Sequence, residues 1–131
     1  MLFNNFKDAH SHLRLEGQPN QHIVGNNKDG VLSLKIPYHK DSLNEFLEDG
    51  KYIHYVGIGS QKTPGYPTLN QDAKKQQPFL ISGMNQQCFP VLYEQSNRQI
   101  KLLGHYLVHK TEKKMSPAGF TYFMITLFRV Y

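Results

Sequence analysis

Two tyrosines and a carboxylate, Tyr38, Asp41 and Tyr55, are the residues whose types and spacing could do chemistry on a flat ligand. Two aromatic rings can sandwich a heterocycle, and stacking contributes on the order of 1–3 kcal/mol per nucleobase. A carboxylate accepts a hydrogen bond from an exocyclic amino group, such as that of cytosine. Tyr55 also opens the run Tyr55-Val56-Gly57-Ile58-Gly59, whose glycines let a ligand approach the backbone. Each residue has a plainer use. The tyrosines suit a core or a sheet edge with a wet hydroxyl, and Asp41 suits a helix N-cap.

Catalytic patterns are missing. There is no G-x-S-x-G, H-E-x-x-H, phosphate-binding loop or dinucleotide fingerprint. The seven histidines are scattered. His10 and His12 flank Ser11 with no neighbouring ligand at metal spacing. His105 and His109 fall in a strand-like segment, where residues four apart share a face but stand far apart. A single cysteine, Cys88, rules out an internal disulfide and a multi-thiolate site. No cofactor and no metal are expected.

The elements that must position these groups are read from periodicity. Residues 3–13 can form a short helix, and Gly17-Gln18-Pro19-Asn20 a loop. Asn26-Asn27-Lys28-Asp29-Gly30 is a turn. Val31 to Ile36 is a strand with Leu32, Leu34 and Ile36 on one face, and Pro37 ends it. Ser42-Leu43-Asn44-Glu45 has the form of a capping box, which predicts a helical turn over 42–48. Asp49-Gly50 is a turn. Lys51 to Ile58 is a strand with Ile53 and Tyr55 on one face and Tyr52, His54 and Val56 on the other. Gly57 to Pro67 is a loop. Asn70 to Asn85 is helical, kinked or restarted at Pro78. Strands follow over 88–94, 99–109 and 119–130, with turns at Ser96-Asn97 and Ser116-Pro117-Ala118-Gly119. The last is apolar on both faces and belongs in the middle of a sheet.

Composition fits a single domain over residues 1–131. Sixteen aromatic residues, eight Phe and eight Tyr, supply bulk to a chain that is 39% hydrophobic. No window is apolar enough for a signal peptide or a membrane span, so a soluble, intracellular, cytoplasmic protein is expected. Residues 1–65 carry seven basic and seven acidic side chains, whereas residues 66–131 carry eight basic and three acidic, the whole of the net +5. A basic half suits a polyanionic partner.

In order along the chain, the motifs resemble the SET- and RING-associated (SRA or YDG) domain, which reads modified cytosine in DNA. Asn27-Lys28-Asp29-Gly30-Val31-Leu32-Ser33-Leu34 is similar to the family's first turn and strand. Tyr38-His39-Lys40-Asp41 resembles its Tyr-x-x-Asp pocket segment, and Tyr55-Val56-Gly57-Ile58-Gly59 its Tyr-Thr-Gly-x-Gly run. Asn70-Gln71, Pro90-Val91-Leu92, Gly104-His105-Tyr106-Leu107-Val108 and Gly119-Phe120 resemble later signatures. Val56 replaces the usual Thr and removes a hydroxyl contact. Ile36 and Pro37 replace small residues, and Pro37 has no N–H.

The resemblance implies an α+β, mainly β architecture, a PUA-like twisted, barrel-like sheet with flanking helices. It implies base flipping, with Tyr38 and Tyr55 stacking on the base, Asp41 reading its edge and Val56 beside it. Such domains serve as chromatin readers and as recognition modules of modification-dependent restriction nucleases; the bacterial type fits this chain better. The partner would be double-stranded DNA carrying a modified base. Lys62, Lys74, Lys75, Arg98, Lys101, Lys113 and Lys114 are candidates for phosphate contact. Alanine at Tyr38, Tyr55 or Asp41 is expected to weaken binding with little effect on folding. The rival readings are a PUA-like reader of RNA, a small hydrolase or nuclease, and a protein-interaction domain.

Overall fold

A computed structural model describes residues 2–19, 21–38, 43–56, 71 and 73–131. Asp41, Lys62 and the 57–67 loop lie outside the described residues. The first hairpin shows how sequence becomes local structure. Asn26 Oδ1 accepts the N–H groups of Lys28 and Asp29 at 2.8 and 2.6 Å, and Gly30 takes φ +79°. This turn joins β2 (Ile23–Asn26) to β3 (Gly30–Ile36). The register shifts from Val24↔Ser33 to Gly25↔Val31, so Leu32 is the extra residue of a bulge. The bulge turns Val31 toward the core with Leu34 and Ile36, while Leu32 stays half-exposed. The simple alternation expected for Leu32, Leu34 and Ile36 fails there.

The expected helical turn over 42–48 is corrected. Glu45–Leu47 is a strand, β4, paired antiparallel with β5 (Tyr52–Val56); Ser42 itself is not described. A helical turn this short has little stability of its own, whereas pairing with β5 gives Glu45, Phe46 and Leu47 each a strand partner. Glu48 and Asp49, at φ +50° and +57°, form the reversal, and Gly50 follows at +85°. Consecutive left-handed residues match the twist of a two-stranded ribbon.

The segment expected to be helical around Pro78 divides in two: a 3-10 turn over Ala73–Gln76, then α2 over Gln77–Asn85. Pro78 sits in the first turn of α2, where its missing N–H is not needed. Strands β6 (Phe89–Glu94), β7 (Ile100–Met115) and β8 (Thr121–Arg129) follow. β7 runs six residues past its expected end at His109, because Lys110 to Lys114 keep pairing with β8 although they are charged. The result is a long β7–β8 arm.

The strand order is β2-β3-β6-β7-β8-β5-β4, antiparallel except for β3–β6, and β1 (Leu2–Phe3) pairs with the start of β7. β8 is central, as its two apolar faces require. The sheet curls until Phe46, on the terminal strand β4, touches Tyr93 on β6, with ring centroids 4.7 Å apart. The curl encloses the main core: Val31, Leu34, Ile36, Ile53, Val91, Tyr106, Ile125 and Leu127, sealed by Phe79 from α2. α1 (Phe6–His12), capped by Asn5, covers the other face over Phe3, Leu92 and Ile100. Among the described residues, no helix is long and apolar enough to cross a membrane.

Candidate nucleic-acid interface

Tyr55 lies on β5 opposite Ile125 and shares the core-facing side with Ile53. Its ring meets Phe79 at 5.8 Å, tilted by 42°. Burial pushes its phenol well above the usual tyrosine range, which keeps the hydroxyl neutral. The next residue, Val56, donates its N–H to Asn44 Oδ1 at 2.8 Å.

Tyr38 lies just past the end of β3 and is half-buried. Its N–H donates to Glu94 Oε1 at 2.9 Å. The same oxygen accepts from Arg98 Nη1 at 3.3 Å, and the Arg98 guanidinium carbon stands 5.4 Å from the Tyr38 ring centroid. Glu94 also faces His22. Burial first, then Lys35, lowers the His22 pKa, and Glu94 opposes the shift. Pro37 has no N–H, and that of Tyr38 is committed to Glu94, so the backbone here offers a ligand few donors.

The two tyrosine-bearing segments come from different parts of the sheet, and the 43–47 segment links them. Asn44 holds the backbone beside Tyr55, and Phe46 reaches Tyr93, the neighbour of Glu94, which holds Tyr38. Sequence reasoning missed Asn44, Phe46, Tyr93 and Glu94. Asn44 falls inside a capping-box pattern that points to a helix instead, and nothing local marks a Glu at a strand end as a backbone clamp.

The cations separate by face. Tyr55 pairs with Ile125, and Ile125 with Thr111, so these three share one side of the sheet. Two residues further along β7, Lys113 pairs with Phe123 on that side. Lys110, Glu112 and Lys114 alternate onto the reverse side, where Lys110 pairs with Glu112 at 3.4 Å. Lys113, Lys114 and Lys101 are exposed. Lys74 and Lys75 are exposed in the 3-10 turn. That turn is fastened to the arm by Gln71, whose N–H donates to Thr121 O at 2.8 Å and whose Oε1 accepts from Phe123 N–H at 2.9 Å. Among the described residues, no group of three or more His, Cys, Asp or Glu could hold a metal ion.

A curled, mainly antiparallel sheet with one parallel β3–β6 pair and a helix sealing its core defines an SRA-like fold. The particular structures it resembles bear this out. The SUVH5 SRA domain, solved with hemi-methylated CG DNA, matches with a TM-score of 0.75 at 15% identity, covering 96% of this chain and 84% of that one. The same domain bound to fully hydroxymethylated CG DNA matches at 0.76, 15% identity, 96% and 85%. The modification-dependent TagI restriction endonuclease matches at 0.79 and 15% identity, covering all of this chain and 49% of that one. The sequence matches no family model and none of the curated proteins.

Proposed function

We propose that this domain reads a modified cytosine in double-stranded DNA by extruding the base into a pocket walled by Tyr38 and Tyr55. Asp41 accepts from the amino group of the base, and Val56 lies beside it. The observation that carries the reading is a fold match over 96% of the chain to SRA domains solved on methylated and hydroxymethylated DNA. The two tyrosines stand on the segments that β4 links. The domain acts by binding and needs no cofactor. Its match to about half of a modification-dependent endonuclease supports a role as the recognition module of a restriction system.

A panel of duplexes carrying cytosine, methylcytosine, hydroxymethylcytosine or glucosylated cytosine at one position tests this, with an RNA competitor in parallel. At least one modified duplex is expected to bind more tightly than the plain one. Tyr38→Ala should weaken that complex by about 10- to 100-fold, the worth of one stacked base. Asp41→Ala should narrow the gap between modified and plain DNA. Equal wild-type affinity across the panel would sink the reading, and preference for RNA would redirect it.

Phosphate contacts should follow the faces of the arm. Lys113, on the Tyr55 side, is placed to meet the duplex backbone, with Lys74 and Lys75 on the turn that Gln71 fastens to the arm. Lys113→Ala is expected to weaken binding to modified and plain duplexes alike. It should make the plot of log affinity against log salt shallower by about one unit. Lys114→Ala and Lys110→Ala, on the reverse side, should leave that slope as it is. A titration in which Lys114→Ala has the larger effect would overturn the assignment of faces.

A further inference from the structure

We infer that Arg98, which charge alone would assign to a phosphate, is instead a positioning residue that fixes the Tyr38 ring as a stacking wall. The inference rests on the base-reading function proposed above. Arg98 sits in the five-residue connection between β6 and β7. The connection is built by backbone and neighbouring side chains: Gln95 N–H to Gln99 O at 2.8 Å, Arg98 N–H to Gln95 O at 2.9 Å, and Gln99 N–H to Asn97 Oδ1 at 3.0 Å. None of these bonds uses the Arg98 side chain. Its backbone stands at φ +70°, where glycine is unstrained and a long side chain is not. An arginine at a position that favours glycine is worth its strain when the side chain has a task elsewhere.

Among the described residues the guanidinium meets two groups, both belonging to the Tyr38 wall. It pairs with Glu94 Oε1, the oxygen that also accepts the Tyr38 N–H. It also lies 5.4 Å from the Tyr38 ring centroid, within cation–π range. Glu94 therefore holds the backbone of Tyr38 and the cation over its ring at once. Its carboxylate is well covered, with 19% of the side chain exposed, while the arginine is 67% exposed. The carboxylate is the fixed end of this pair and the guanidinium the end that reaches out. A ring held at its backbone and covered by a planar cation loses less freedom when a base stacks on it.

The test compares wild type, Arg98→Gly, Arg98→Lys and Glu94→Gln on modified and plain duplexes over a range of salt. Glycine relaxes the backbone at φ +70°, so Arg98→Gly should fold with a melting temperature near that of wild type. It is expected to bind the modified duplex about 5- to 20-fold more weakly, with plain-DNA affinity and salt slope unchanged. Arg98→Lys keeps the charge but not the flat guanidinium, and should fall between the two. Glu94→Gln still accepts the Tyr38 N–H but releases the arginine, and should reproduce the loss of Arg98→Gly. A slope shallower by about one unit in Arg98→Gly, with Arg98→Lys like wild type, would make Arg98 a phosphate contact and overturn the inference. Unchanged modified-DNA affinity in Arg98→Gly and Glu94→Gln would overturn it too. Wild type without preference for any modified duplex would instead remove the reading on which it rests.

Discussion

Tyr55→Ala is expected to destabilise the fold by about 3 kcal/mol, in the range measured for removal of packed aromatic rings, and to lose DNA binding with it. Packing of Tyr55 against the core argues for a folding defect beside the binding defect expected from sequence. Tyr55 packs on the main core and meets Phe79, which is itself fully buried. Deleting the ring opens a cavity beside Phe79 as well as removing one wall of the proposed pocket. Tyr55→Phe separates the two roles. It keeps the ring for the core and for the proposed stacking, and its urea midpoint should stay close to wild type. Tyr38, half-buried beyond the end of a strand, makes no comparable contribution to the core, so Tyr38→Ala should stay folded while binding falls. Paired urea denaturation and binding curves for the three variants check this. A Tyr55→Ala protein as stable as wild type would show that its ring is not part of the core.

Gly30→Ala is expected to cost about 3 kcal/mol, combining overpacking with left-handed backbone strain. A Cβ at Gly30 would stand 2.4 Å from Ser82 Oγ and 2.8 Å from Ser82 N, and the backbone is at φ +79°. Ser82 cannot move aside freely, because its Oγ accepts the Val31 N–H at 2.7 Å and both residues are buried. The first hairpin and α2 are thus pinned at one point, where Gly30 passes the helix backbone. Gly119→Ala is the matched comparison. It has a similar φ of +90° with nothing within 4 Å of an added Cβ, so it should cost about 1 kcal/mol of strain alone. Thermal or urea unfolding of the two variants decides the point; equal losses would mean that the contact with Ser82 is easily relieved.

These two sites also show what the sequence made legible. Gly30 stood in a dense turn signal, and the turn forms where expected because Asn26 supplies its own acceptor. Pro78 marked the start of α2 because its chemistry is local. β8 announced its central place by being apolar on both faces. The failures are of another kind. The segment 45–47 carries a helix-start pattern, but the pairing that makes it a strand comes from β5, and local pattern cannot weigh a tertiary partner. Leu32 looked like a core residue until a bulge shifted it, and a bulge follows from the registry of two strands. The strand expected over 99–109 stops short of Lys110 to Lys114, because their pairing with β8 is a tertiary contact that local pattern does not carry. The same limit hid part of the candidate site. Tyr38 and Tyr55 were found by residue type and order, while Glu94, Arg98 and Asn44 act through contacts between residues distant in the chain or folded across a turn. Asp41, the third member of the trio, lies outside the described residues, and its role remains part of the proposal.

The link through β4 has a thermodynamic consequence. Among the described residues, β4 ends the sheet; its three residues are exposed and paired with β5. Short terminal strands open at the low end of a protein's spectrum of local unfolding free energies. When β4 detaches, Asn44 releases Val56 and Phe46 releases Tyr93, and the segments bearing Tyr38 and Tyr55 uncouple. For the base reading proposed above, the observed dissociation constant is then the intrinsic one divided by the fraction of molecules with β4 docked. Substitutions in this edge strand would tune affinity through that fraction, and the benefit of tightening it ends once the fraction reaches one.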